Sequence, residues 1–209
     1  MKRFFRNNGL SLVLGTLFLV FWAGQAVAGW KVHNGDRVLH AAGELSFSEY
    51  LASGHFWQAT GENWESEFLQ MGAYVLLTCF LFQKGSAESN DPDACDPAAE
   101  AEAAAVKKRY GVLYRNSLSL GFLVLFLLSF WMHAEGGLRQ WNAENLEHGE
   151  APGTMTDFLT GAEFWFQSLQ NWQSEFLAVL SIVLLSIFLR QDGSPESKPM
   201  VAANSDTGE

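Results

Sequence analysis

Asn63-Trp64-Glu65-Ser66-Glu67-Phe68-Leu69 recurs almost letter for letter as Asn171-Trp172-Gln173-Ser174-Glu175-Phe176-Leu177, 108 residues further on. The register holds far beyond the motif. Pairing residue n with n+108 needs no gap from Leu10 to Ser89, and about a third of the pairs are identical. A chain with this self-similarity is one structural unit used twice. Its fold must therefore satisfy both copies.

Each copy holds two apolar runs with hardly a charge: Leu10–Ala28 and Phe68–Phe82 in the first, Leu118–Met132 and Phe176–Leu189 in the second. Lipid gives a backbone no hydrogen-bond partner, so a run of about 20 apolar residues crosses a bilayer as a helix. With their aromatic flanks, the runs predict spans at about 10–29, 64–83, 117–136 and 172–190. The expected fold is all-α, a four-transmembrane-helix bundle. It is made of two tandem helical hairpin repeats, 1–84 and 110–191, both starting on the same side of the membrane and so in parallel topology.

Charge gives the orientation. With the N-terminus, the middle linker and the C-terminus on one side, that side holds Lys2, Arg3, Arg6, Lys84, Lys107, Lys108, Arg109, Arg115, Arg190 and Lys198. The other side keeps only Lys31, Arg37 and Arg139. The positive-inside rule makes both termini cytoplasmic, and the net charge of −10 does not oppose this because acids weigh little in the rule. The basic residues form no patch with interleaved aromatics, so nucleic acid is not an expected partner. The lipid bilayer is. Residues 85–109 form an acidic stretch of Ser, Asp, Pro, Ala and Glu, and 192–209 a polar tail; both read as cytoplasmic and disordered or flexible.

Met1–Ala28 also imitates a signal peptide, with a basic start, an apolar stretch and Ala26-Val27-Ala28 as a cleavage pattern. Its internal twin at Leu118–Leu127 cannot be a signal peptide, which favours retention as a span. Gly29–Leu45 reads as an irregular outer loop, followed by a capping box at Ser46-Phe47-Ser48-Glu49. Thr154-x-x-Asp157 answers it in the second copy. Each outer loop is thus expected to carry a short amphipathic helix at the membrane interface, with Trp57, Trp165, Trp64 and Trp172 as interface anchors.

Phe4-Phe5-Arg6-Asn7-Asn8-Gly9-Leu10-Ser11, Glu62–Gly72 around the first motif copy, and Phe188-Leu189-Arg190-Gln191 with Gly193-Ser194-Pro195-Glu196-Ser197 together resemble a family of small bacterial integral membrane proteins, a domain of unknown function. The resemblance covers most of the chain. It implies a bacterial cytoplasmic (inner) membrane location and brings no activity, ligand or catalytic residue.

The repeated motif supports two readings. As a helix start, Asn63 and Asn171 are N-caps and the following acids complement the helix dipole. As a site, helix length matters. From Glu67 to Phe82 and from Glu175 to Arg190 is fifteen residues, about 22 Å of helix against a hydrocarbon core of about 30 Å. Both carboxylates then lie below the outer interface, where an acid is protonated, paired or cation-bound. Asn63, Glu67, Gln70, Tyr74 and Thr78 make one polar stripe, of which the second copy keeps Asn171, Glu175 and Ser186. Glu67 and Glu175, with Asn63 and Asn171, are therefore the candidate proton or cation site. The five histidines, His33, His40, His55, His133 and His148, lack the spacing of a helical metal pair and read as scattered loop residues. No metal or cofactor is expected. No phosphate loop, nucleophile elbow or Ser/His/Asp order appears, so no enzyme is expected either. The expected function is a structural or interaction role at the cell envelope, with an envelope protein or a second copy as partner. The alternative is a small proton or cation carrier or channel using Glu67 and Glu175.

Overall fold

The computed structural model describes residues 2–40, 42–93, 105 and 109–208. They are helical with no strand: α1 (Lys2–Leu39), α2 (Phe47–Leu51), α3 (Gly54–Leu77), α4 (Val112–Arg115), α5 (Ser117–Glu147), α6 (Met155–Thr160) and α7 (Ala162–Phe188). Most of the acidic 85–109 stretch, including Cys95, lies outside the described residues.

Among the described residues three helices, not the expected four, are long and apolar enough to cross a membrane: α1 over Arg3–Leu39, α5 and α7. Their apolar windows are only 6 %, 17 % and 6 % buried by the rest of the chain, so their surfaces are left for another apolar medium. The second predicted span, 64–83, is the exception. α3 stops at Leu77, where the backbone tightens into three-residue turns (Cys79 N to Leu76 O, 3.2 Å; Phe80 N to Leu77 O, 3.0 Å). Any stretch of α3 near the spanning length of about 20 residues also includes Glu62, Glu65 and Glu67.

The chain divides into two compact units. The first comprises 1–61 and 132–161. Its core is Ala26, Tyr50 and Phe56, with Trp22, Trp30, Leu51 and Trp57 packed around them. α1 runs unbroken through Ala28 to Leu39, so Gly29–Leu45, read as an irregular outer loop, is in large part helix, and α5 likewise runs past 136 to Glu147. The helix ends are fastened twice in the same way. Asn34 exchanges two hydrogen bonds with Leu45 (Nδ2 to O, 2.8 Å; N to Oδ1, 2.9 Å), and Asn142 does the same with Gly153 (3.2 and 2.8 Å). Both capping boxes form as the sequence predicts, Ser46 with Glu49 and Thr154 with Asp157. The short helices they start press an aromatic ring onto a glycine of a long helix: a Cβ at Gly29 would meet Tyr50 Oη at 2.2 Å, and one at Gly137 would meet Phe158 Cζ at 2.4 Å. Glycine is needed at both places for contact, and neither is a helix breaker.

Those capping carboxylates titrate below their ordinary values, chiefly because Ser46 and Thr154 hydrogen-bond them. A folded pKa below the unfolded one gives stability that is present above the unfolded value and lost as pH falls through the folded one. Ser46→Ala and Thr154→Ala are each expected to cost about 1 kcal/mol. Each should also flatten the loss of thermal stability between about pH 5 and pH 3, measured as Tm against pH.

The second unit comprises 62–131 and 162–209. Phe164, fully buried, meets Phe130 edge-on at 5.3 Å, and Phe130 in turn meets Phe126. Gly72 lets α3 approach Phe122 of α5 (3.1 Å to a built Cβ). Beyond α3 the chain folds back on itself. Tyr74 donates to Glu88 (2.7 Å) and Ser86 shares a hydrogen bond with Ser186 of α7 (3.0 Å).

The tail, expected to be flexible, is fastened here. Lys198, only 1 % exposed, directs its ammonium at the carbonyls of Gly85 (2.5 Å), Asp206 (2.9 Å), Ala203 (3.2 Å) and Asn204 (3.3 Å). Gly208 N and Thr207 Oγ1 bond the same 85–86 turn. Hydrogen bonds to a charged group contribute about 1.5–3 kcal/mol each. Lys198→Met should therefore release the tail and speed proteolysis after residue 198 about tenfold or more, with the helices intact by circular dichroism.

Candidate functional site

The repeated motif is not a helix start. Asn63 and Asn171 both lie in the middle of continuous helices, α3 and α7. Asn63 is exposed; Asn171 is half-buried and bonds Gln167 O (3.2 Å) within its own helix. Their capping preference is overridden because helix begins earlier in each copy, at Gly54 and Ala162, ahead of the aromatics Phe56-Trp57 and Phe164-Trp165. Of the anchors, Trp57 packs on the first unit's core, Trp165 is exposed and edge-on to Trp172 (6.2 Å), and Trp64 and Trp172 are half-buried.

The two candidate carboxylates occupy matched positions of α3 and α7. Glu67 is nevertheless exposed and Glu175 half-buried. The fully buried acid of the motif is Glu65, whose Oε1 accepts from Ser168 at 2.7 Å. Its counterpart in the second copy is Gln173, which is exposed. The mismatch carried the information: two copies of one residue that sit in different surroundings need different side chains.

A polar cavity lies in the first unit. A cavity of about 490 Å³ is lined by His33, Asp36, Arg37 and His40 of the α1 end, Ser53 to His55 at the start of α3, and Arg139, Gln140, Glu144, Glu147 and His148 of the α5 end. Arg37 fixes its two sides together, donating from Nε to Gly43 O (2.7 Å) and from Nη1 to Glu147 (3.2 Å) in a partly buried pair. On one wall the His33 and His55 rings lie 4.7 Å apart at 32°, and Tyr50 Oη shares a hydrogen bond with His55 Nδ1 (3.2 Å). Burial, and after it the charge of His33, lowers the pKa of His55, so its neutral ring is favoured there.

Four of the five histidines thus face one cavity rather than being scattered. His133 is buried apart from them, its backbone against Gly61. Among the described residues no three His, Cys, Asp or Glu side chains converge as a metal site. The sequence signal available was the repeat itself, since His40 and His148 are n and n+108.

Neither a curated protein nor a solved structure matches the chain. A family model, described as a domain of unknown function (DUF6766), matches residues 1–209. The chain belongs to that family of unknown function, DUF6766.

Proposed function

We propose that the chain is a multi-pass protein of the bacterial inner membrane that works as an interaction protein at the cell envelope, through the polar cleft between the extended ends of α1 and α5. The single observation behind this is the cleft itself, a 490 Å³ cavity carrying four histidines and both signs of charge at one end of helices that are otherwise apolar. In this reading the protein spans the membrane four times, α3 completing its crossing through Thr78–Gln83 with local thinning of the bilayer. Both termini are cytoplasmic and the cleft faces outward. The bonds that recur 108 residues apart, Asn34–Leu45 with Asn142–Gly153 and the two capping boxes, support a pair of parallel hairpin repeats. The protein is not an enzyme in this reading. Its partner is an envelope protein or a second copy of itself.

A carrier or channel for protons or small cations is the second reading, favoured by the matched positions of Glu67 and Glu175 in the two motif copies. One experiment separates the two. Photoreactive residues placed at Gln140 or Glu147 in cells should give a discrete adduct that a lipid-facing control at Leu127 does not. Liposomes loaded with the native protein and with Glu67→Gln plus Glu175→Gln should show equal proton and potassium flux. No adduct from the cleft, together with a flux that the double variant abolishes, would establish the carrier and sink the interaction role.

A further inference from the structure

We propose that His40 and His148 form a two-imidazole site for a divalent transition-metal ion at the rim of the cleft, with water completing the coordination. Three observations carry it. First, each ring is oriented by its own helix: His40 Nδ1 meets Asp36 O at 2.9 Å and His148 Nδ1 meets Glu144 O at 2.8 Å. A carbonyl oxygen can only accept, so both bonds require hydrogen on Nδ1, which in the neutral ring puts the lone pair on Nε2. This is the arrangement by which metal-binding histidines are held in the correct tautomer by a second hydrogen bond.

Second, the two rings are edge-on neighbours. Their centroids are 6.0 Å apart at 66°. A metal–nitrogen bond of about 2.0–2.1 Å, with about 1.1 Å more to the ring centre, puts two imidazoles on one ion roughly 5 Å apart at a tetrahedral angle and roughly 6.4 Å when they are opposed. The observed separation lies inside that range before any ion is bound. Third, the surroundings suit a cation. Asp36 and Glu144, four residues before each histidine, line the same cavity, and both imidazoles are exposed to incoming solvent ions. Two imidazole ligands near acids suit copper, nickel or zinc over magnesium or calcium, which prefer an all-oxygen shell.

The two ligands are repeat partners, so a single ion would join the two halves of the chain at equivalent points. The proposal rests on the same cleft as the interaction role but needs neither a protein partner nor an outward orientation.

The test is titration of the purified full-length protein with Cu²⁺, followed by electron paramagnetic resonance. One equivalent should bind with hyperfine coupling to two imidazole nitrogens. His40→Ala with His148→Ala should weaken binding at least tenfold and remove the two-nitrogen pattern, while His33→Ala with His55→Ala keeps both. His40→Gln with His148→Gln, matched to the native protein by thermal melt, guards against loss of fold. The idea is overturned if native protein binds no stoichiometric copper, if the His40/His148 variants bind as tightly as native, or if the pattern disappears with His33 and His55. Because the cross-linking result does not depend on copper, failure of this site and failure of the interaction role are separable.

Discussion

Gly136→Val is expected to be among the most damaging single substitutions in the chain. Inside the first unit, α3 and α5 cross so closely that glycine alone fits at the contact. A Cβ at Gly136 would lie 2.4 Å from Gln58 N and 2.8 Å from Trp57 C. One at Gly61 would lie 2.4 Å from His133 N, and one at Gly54 would meet Gly136 O and Gln140 N, both at 2.6 Å. The atoms in the way are mostly backbone held in helical hydrogen bonds, so no rotamer change relieves the overlap, and the helices must part. Overpacking of this kind costs about 3 kcal/mol, a fall of roughly 6–12 °C in Tm for a chain of this size. Gly136→Ala already introduces the clashing atom and should have most of the effect. The control is Gly35→Ala, an exposed helical glycine of α1 with nothing within 4 Å of a built Cβ. There, removing glycine from a helix should stabilise by up to about 1 kcal/mol. Equal melting temperatures for the Gly136→Ala and Gly35→Ala proteins would show that the crossing is not this close.

The same glycines explain where sequence and structure part. The short helices were legible because their signal is local: Ser46 with Glu49, and Thr154 with Asp157, each specify a helix start within four residues. The apolar runs of α1, α5 and α7 were legible from length and composition alone. The polar continuation of α1 through His33, Asn34 and Asp36 was not. It has no apolar period, and Gly29 and Gly35 look like breakers until Tyr50 is seen resting on Gly29. Asn63 misled in the opposite way, since its preference for a cap is real but weaker than the packing of a helix already begun at Gly54. The cleft was least visible of all, because His40 meets His148 only after about a hundred residues of intervening chain have folded.

Glu65→Ala is the second large effect expected, and it tests what the asymmetry of the repeat is for. Glu65 is 0 % exposed and accepts a hydrogen bond from Ser168, which is itself fully buried. Alanine would leave the Ser168 hydroxyl without that acceptor and open a cavity the size of the lost side chain. Breaking a buried hydrogen bond and leaving space behind costs about 2–4 kcal/mol. Ser168→Ala removes a smaller group and should cost about 1–2 kcal/mol. The double variant loses the interaction only once, so its cost should fall short of the sum by about 1 kcal/mol or more. Glu65→Gln keeps an oxygen that can accept from Ser168 and should retain most of the stability. The comparison that decides is Gln173→Ala, at the matching position of α7, where the side chain is exposed. A surface change of that kind should stay within about 0.5 kcal/mol. If Glu65→Ala and Gln173→Ala have the same effect in chemical denaturation, the two copies are energetically alike and Glu65 is not a buried tie. If they differ as expected, the duplicated motif has diverged in the half where its acid became buried.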